Sequence, residues 1–537
     1  MTTIGAFFET AGRHPGRLAW KHGRREWTWD EAARDVRRAA RALIALGVAP
    51  GGSVAIVGPN RPEWVTGDLG AIAAGAIPTP IYPTLTGEQA RFIADHSGAT
   101  VALVSDELQR EKLRGSVVRS FALFGAWEEF LARGDAVPDE AVDERLRALR
   151  PEDLATLIYT SGTTGPPKAA MLTHKNLMHA AATAVRVGGT SAEDVGVSYL
   201  PLSHIAEQVI SIHAPTVAGG PVWFCDELER VGEVLRQARP TIFFGVPRVW
   251  EKMQARIEET VRSAPPLRRR LFQWARGSRG RLSDRLVLSK VRAALGLERA
   301  RLCVTGAAKM PRPTLDFFES IGLPLLDMWG MTESTAMGTA NLPGARKPGT
   351  VGRADPSVEI RIAPDGEILT RGPHVFKGYY KDPAATREAI DPDGFLHTGD
   401  VGELDKDGYL RITDRKKELL ITSGGKNVSP QNIEGLLGRI RGVSQAVVVG
   451  DGRKHLGALI VPELPRQASD PDFLAYLGRE IEAINGQLAS FESIKKFRVL
   501  AGSFSVESGE LTPTLKLKRR VVSEKYAREI DELFAQK

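Results

Sequence analysis

Leu154-Ala-Thr-Leu-Ile-Tyr-Thr160 runs directly into Ser161-Gly-Thr-Thr-Gly-Pro-Pro-Lys168. The first half is a short apolar run, which predicts a buried strand. The second half, entered through Thr160, is a turn rich in hydroxyls and glycine. Ser161, Thr163 and Thr164 offer hydroxyl donors, and Gly162 and Gly165 let backbone N–H groups approach an anion closely. Lys168 adds a positive charge. Such a turn can cradle a polyphosphate. Its spacing is not that of a P-loop, because Gly162 and Lys168 are six apart and Ala169 follows the lysine.

Outward from this turn the chain alternates strand and helix signals. Upstream, Val54-Ala-Ile-Val57 is a short apolar strand, 64–75 is Ala-rich and helical, and 78–82 and 101–105 are extended. Downstream, 241–245, 302–305 and 323–328 read as further buried strands. The rhythm predicts an α/β fold: a large N-terminal domain of several subdomains, with mainly parallel sheets flanked by helices. Between these strands, 267–301 is a basic helical stretch with eleven Arg and Lys against two acids, Asp284 and Glu298. Leu267, Leu271, Trp274 and Leu282 form a potential apolar stripe on it. Both a solvated face on a packed helix and a membrane-surface helix fit this pattern. From 376 onward turn signals become dense. Runs at 445–450 and 456–462 flank Asp451-Gly452 as a hairpin, with helical segments near 470–490 and 520–535. The expected division is 1–413, a linker at 414–418, and a small mobile α+β domain over 419–537.

Composition narrows the function without choosing it. The 537 residues are 42% hydrophobic and 26% charged, ordinary values for a chain with a large core. The net charge of +7 suits nucleotides, coenzyme A or acidic lipid headgroups. No nucleic-acid-binding module is recognisable, so no nucleic acid partner is expected. The two cysteines, Cys225 and Cys303, form no CxxC pair and read as buried thiols of a cytoplasmic protein. Residues 1–16 lack the pattern of a signal peptide, and no apolar run reaches membrane-span length.

The turn at 160–168 resembles the phosphate-binding signature of the adenylate-forming superfamily, which includes acyl-CoA synthetases, luciferases and adenylation domains. Pro201-Leu-Ser-His204, Trp329-Gly-Met-Thr-Glu333, Thr398-Gly-Asp400, Asp414-Arg-Lys-Lys-Glu418 and Leu511-Thr-Pro-Thr-Leu-Lys516 resemble its other core motifs, in the same order. Asn60-Arg-Pro-Glu-Trp64, Pro80-Ile-Tyr-Pro-Thr84, Val246-Pro-Arg-Val-Trp250, the run from Arg415 to Asn427 and Gly378-Tyr-Tyr380 are most similar to long-chain fatty acyl-CoA synthetases.

The resemblance implies ATP, Mg²⁺ and coenzyme A as cofactors and a fatty acid as substrate. It implies that Glu333, with Thr164, holds Mg²⁺ on the ATP phosphates, and that Thr332 contacts the α-phosphate. Trp329, followed by Gly330, stands where a tyrosine usually packs on adenine. Asp400 and Arg415 correspond to the ribose-binding pair, and Gly306-Ala307-Ala308 to the small residues between adenine and the acyl pocket. Lys516 takes the catalytic position, stabilising charge at the α-phosphate. His204 corresponds to a histidine near the acyl carboxylate, and Lys417 to the hinge. Gly425 and Lys426 belong to the segment that replaces Lys516 when the pantetheine arm enters. Gln208 occupies the position of an aromatic gate found in some fatty-acid members. Three readings remain open: a fatty acyl-CoA synthetase, a fatty acyl-AMP ligase serving a carrier protein, and a nucleotide-binding relative without activity.

Overall fold

The computed structural model describes residues 1–160, 167–278, 280–416, 418–424, 426–505, 508–511 and 517–535. Ser53–Val57 is SVAIV, buried along its whole length, and it sits inside a fully parallel sheet. Its neighbours are Ile77–Ile81 on one side and Val101–Val104, then Ser120–Leu123, on the other. Strands buried on both faces lose the polar–apolar alternation, which explains their continuous apolar runs. The helix Pro62–Ala73 covers this sheet and has every residue buried except Glu63. The helix Trp29–Ala45 packs against it and opens with a capping box between Thr28 and Glu31.

A second sheet places Leu18–His22 beside Val222–Phe224 and Gly196–Ser198, all parallel. A third has Ile242–Gly245, Leu302–Thr305 and Leu325–Trp329 in parallel, continued by the antiparallel strands Thr339–Ala340 and Arg353–Ala354. Two antiparallel sheets complete the large lobe. One joins Leu154–Thr160, Lys168–Thr173 and Gly378–Tyr379. The other joins Glu359–Ile362, Glu367–Arg371, Leu396–Leu404 and Leu410–Arg415. Leu154–Thr160 and Lys168–Thr173 are therefore neighbouring antiparallel strands. The final strand runs through Arg415, past the position where the sequence places the start of the linker.

The small lobe has its own core around Leu437, Val448, Ile460 and Leu477. Val443–Val449 and Leu456–Pro462 form the expected hairpin, and Ile494–Val499 adds a parallel third strand. Helices Pro471–Asn485, Arg519–Lys525 and Ala527–Ala535 pack around it. The basic stretch forms helix Pro266–Ser278 and then three shorter helical pieces ending at Leu295. Its inward residues are Phe272, Ala275 and Leu288, whereas Leu267, Leu271, Trp274 and Leu282 point outward. Both cysteines are buried and free. Among the described residues no helix is long and apolar enough to cross a membrane.

Candidate active site

Lys168 opens the strand Lys168–Thr173, paired with Thr160 across the hairpin. The other edge of that strand pairs with Gly378–Tyr379, which brings Tyr379 to the same place. The Lys168 ammonium lies 5.1 Å from the Tyr379 ring centre. The Tyr379 hydroxyl donates to Glu333 Oε1 at 2.7 Å. Burial pushes the phenol far above its ordinary range, so it remains a protonated donor. Sequence reasoning assigned no role to Tyr379, although the run Gly378-Tyr-Tyr380 marked its neighbourhood.

Glu333 sits in the 3₁₀ turn Thr332–Ser334 and is only 7% exposed. The turn is tight. Thr335 and Ala336, neither of them glycine, have φ of 52° and 60°. A Cβ on Gly330 would stand 2.4 Å from the Ala336 carbonyl carbon, so only glycine fits there. Backbone held in a sparsely populated conformation is typical of a functional turn. Here it aims the Glu333 carboxylate toward Tyr379. Thr332 is half-buried on the same turn. No lysine or arginine among the described residues forms an ion pair with Glu333. A buried carboxylate that no described lysine or arginine contacts as an ion pair is a hard oxygen donor that fits Mg²⁺.

The strand before this turn, Leu325–Trp329, carries the next group. The Trp329 indole N–H donates to Asp400 Oδ2 at 2.7 Å, and Arg415 Nε donates to Asp400 Oδ1 at 2.8 Å. Asp400 pairs with Arg415 in the strand register, which fixes this geometry. The Asp400 charge raises the Arg415 pKa further. Each carboxylate oxygen still has a lone pair available for a hydroxyl donor. Trp329 is buried against Ile368 and Leu410, so its N–H, rather than its exposed face, is the part aimed at the site.

Gly306-Ala307-Ala308 follows the strand Leu302–Thr305, with Ala307 at φ 67°. A Cβ on Gly306 would lie 2.9 Å from Met328 Cγ. Met328 also lines a cavity of about 140 Å³ between this sheet and the helices 174–188 and 205–218. Its walls are mostly apolar, including Val209, Ile210, Phe244, Val304, Leu326 and Met337. Ala336, from the strained turn, lines it too. His204 caps the helix Ile205–Gln208, its Nδ1 accepting from the Ala206 N–H at 3.1 Å. Gln208 is buried and donates to the Leu202 carbonyl.

Sequence reasoning also missed Glu207. It is buried, and its Oε1 accepts from Ser198 Oγ, Ser211 Oγ, the Tyr199 N–H and Asn60 Nδ2. Burial pushes its pKa up to about 7. A single acid inside the apolar run 205–212 was the available signal. Lys426 is exposed in the turn between Leu420–Ile421 and Asn427–Val428, on the small lobe. The expected roles of Ser161, Gly162, Thr163, Thr164, Gly165, Lys417, Gly425 and Lys516 lie outside the described residues.

A family model described as AMP-binding enzyme matches residues 7–380, and one described as AMP-binding enzyme C-terminal domain matches 417–537. The long-chain-fatty-acid–CoA ligase FadD15 of Mycobacterium tuberculosis is 37% identical over 94% of this chain and 92% of its own. The long-chain-fatty-acid–CoA ligase ACSBG2 of Gallus gallus is 35% identical over 93% of this chain and 76% of its own. Among solved structures, ATP-bound MatB from Rhodopseudomonas palustris shares the fold, with a TM-score of 0.77 at 24% identity over 98% of this chain and 99% of that one.

Proposed function

The chain belongs to the AMP-binding enzyme family, and from that membership we propose that it activates a long-chain fatty acid with ATP and transfers the acyl group to coenzyme A. One observation carries the reading. The segment from Met328 to Met337 serves two chemistries at once. Trp329 and Glu333 belong to the polar cluster with Asp400, Arg415, Tyr379 and Lys168. Met328, Ala336 and Met337 wall the apolar cavity. A carboxylate at the head of an alkyl chain in that cavity would meet a nucleotide phosphate across this segment.

In the first step a fatty-acid carboxylate oxygen attacks the α-phosphorus of ATP. The bond from that phosphorus to the oxygen bridging to the β-phosphorus breaks, and pyrophosphate leaves with acyl-AMP remaining. This chemistry depends on positioning and charge neutralisation. Lys168 supplies positive charge at the phosphate turn, and Tyr379 holds both it and Glu333 in place. Glu333 would hold Mg²⁺, which supplies charge neutralisation on the phosphates when bound. Asp400, braced by Arg415 and Trp329, accepts hydrogen bonds from the ribose hydroxyls. Lys516 neutralises charge at the α-phosphate. His204 lies near the acyl carboxylate, its Nδ1 accepting from the Ala206 N–H.

In the second step the coenzyme A sulfur attacks the acyl carbonyl carbon, its proton passes to solvent, and AMP departs with the bonding pair. The lobes divide as 1–413 and 419–537, with 414–418 as the linker and Lys417 as its hinge. The two family-model matches, ending at 380 and starting at 417, support that division. Gly425 and Lys426 face the site in this second state. Pyrophosphate release and acyl-CoA formation, measured over acids from acetate to stearate, test the reading. Acid-dependent pyrophosphate with a long-chain optimum, and acyl-CoA only when coenzyme A is present, is expected. Absence of pyrophosphate with every acid overturns it.

A further inference from the structure

The outward side of 266–288 has no role in the site. Thirteen large hydrophobic side chains are exposed among the described residues, and five of them fall within this segment: Leu267, Leu271, Trp274, Leu282 and Leu286. The first three recur at helical spacing on Pro266–Ser278 and form one stripe. Phe272 and Ala275 take the core-facing side of the same helix. This helix therefore has two apolar faces, of which only one is covered.

Charge identifies what covers the other. Arg268, Arg269, Arg270, Arg281 and Arg285 are exposed, and no ion pair holds any of them among the described residues. The segment's one acid, Asp284, is held by a two-pronged contact to Arg292 at 2.7 and 3.0 Å. The unpaired charge of the segment itself is thus all positive. A second copy of the chain docking patch to patch would bring these arginines against the same arginines, with no unpaired acid of the segment between them. An anionic bilayer meets both requirements, with phosphates for the arginines and hydrocarbon beneath them for the leucines and the tryptophan.

We propose that residues 266–288 form a peripheral membrane-docking surface for anionic lipid. It sets the enzyme on the phase in which long-chain acids reside. Co-sedimentation of the full-length protein with vesicles tests this, using phosphatidylcholine alone or mixed with phosphatidylglycerol. Wild type is expected to bind the mixed vesicles, to ignore pure phosphatidylcholine, and to be released by salt. The L271D/W274D variant should lower the partition coefficient about tenfold or more. The R269E/R270E variant should do the same and weaken the salt dependence. All four substituted positions are exposed, so both variants should keep the wild-type melting temperature. The proposal is overturned if wild type does not bind mixed vesicles, or if both folded variants bind as wild type does. It is equally overturned if L271D/W274D only converts a dimer to a monomer in sedimentation velocity. None of these readouts depends on catalysis, so the proposed activity stands or falls separately.

Discussion

Tyr379 couples the two charges that a polyphosphate must meet. Its ring lies under Lys168 and its hydroxyl holds Glu333. Tyr379→Phe keeps the ring and removes the donor. A hydrogen bond to a carboxylate contributes about 1.5–3 kcal/mol, so pyrophosphate release should slow about ten- to hundredfold with little change in melting temperature. Unchanged kinetics would free Glu333 from any need of this tyrosine. Glu207 makes a different prediction, in stability. Its pKa is raised from 4.5 to about 7 by burial. The folded chain therefore binds this proton more tightly than the unfolded chain does. The group's contribution is fully present below pH 4.5, declines as the pH rises toward 7, and is level beyond. All four donors converge on Oε1, so the amide of Glu207→Gln can keep them while losing the ionisation. Calorimetry should find the variant's melting temperature rising against wild type by about 1–3 °C between pH 5 and pH 7.5. A pH-independent difference would assign the decline to other acids. The contrast between these residues shows what the chain makes legible. Glu333, Asp400 and Arg415 sit in motifs with fixed neighbours, and the structure brings each to the same cluster. Tyr379 acts on a residue 46 positions away, and Glu207 joins three nearby donors to Asn60, 147 positions away; over such separations local pattern carries no signal.

At the scale of elements, the informative one is the broken helix beside the cavity. It begins as Ile205–Gln208, widens to a π-turn over Val209–His213, and ends as Ala214–Ala218. Pro215 accounts for the break, since it lacks an N–H and its ring clashes with the carbonyl four residues back in a regular helix. The wide turn closes instead through the Ala214 N–H to the Val209 carbonyl. Its small and branched residues, including Val209, Ile210, Ala214 and Ala218, leave room on the cavity side. Ala214→Phe fills that room. It should lower kcat/KM for palmitate about tenfold or more while octanoate changes far less. An equal loss for both acids would place the chain elsewhere. Strands at 154–160 and 302–305 are readable because they are short, apolar and bounded by turns. The antiparallel strands and the π-turn are not, because strand direction and helix widening depend on which neighbour each segment meets. The stripe at 267–282 shows the same limit. Helical spacing predicts that a stripe exists, but only packing by Phe272 and Ala275 decides which side is buried.

At the scale of the molecule, the two half-reactions make opposite demands on one site. The first needs a cation at the α-phosphate, and the second needs a path for the pantetheine thiol. The contact between lobes is compatible with exchange of one for the other. Among the described residues, the side-chain hydrogen bonds that cross it are Lys309 to Asn432, Arg248 to the Ser444 carbonyl at 3.4 Å and Ser429 to the Thr413 carbonyl at 3.5 Å. These are single bonds between groups in contact with solvent, each contributing about 0.5–1.5 kcal/mol, whereas each lobe has its own buried core. A small lobe held this lightly can rotate as a unit about a short linker. The separation of roles is then measurable with one residue. In the proposed mechanism, Lys516→Ala removes the cation used only while pyrophosphate leaves. Adenylation should fall about 10²–10³-fold, while acyl transfer from supplied acyl-AMP to coenzyme A stays within about threefold of wild type. A comparable loss in both half-reactions would mean that Lys516 remains in the site throughout, and that a fixed arrangement of the lobes serves both steps.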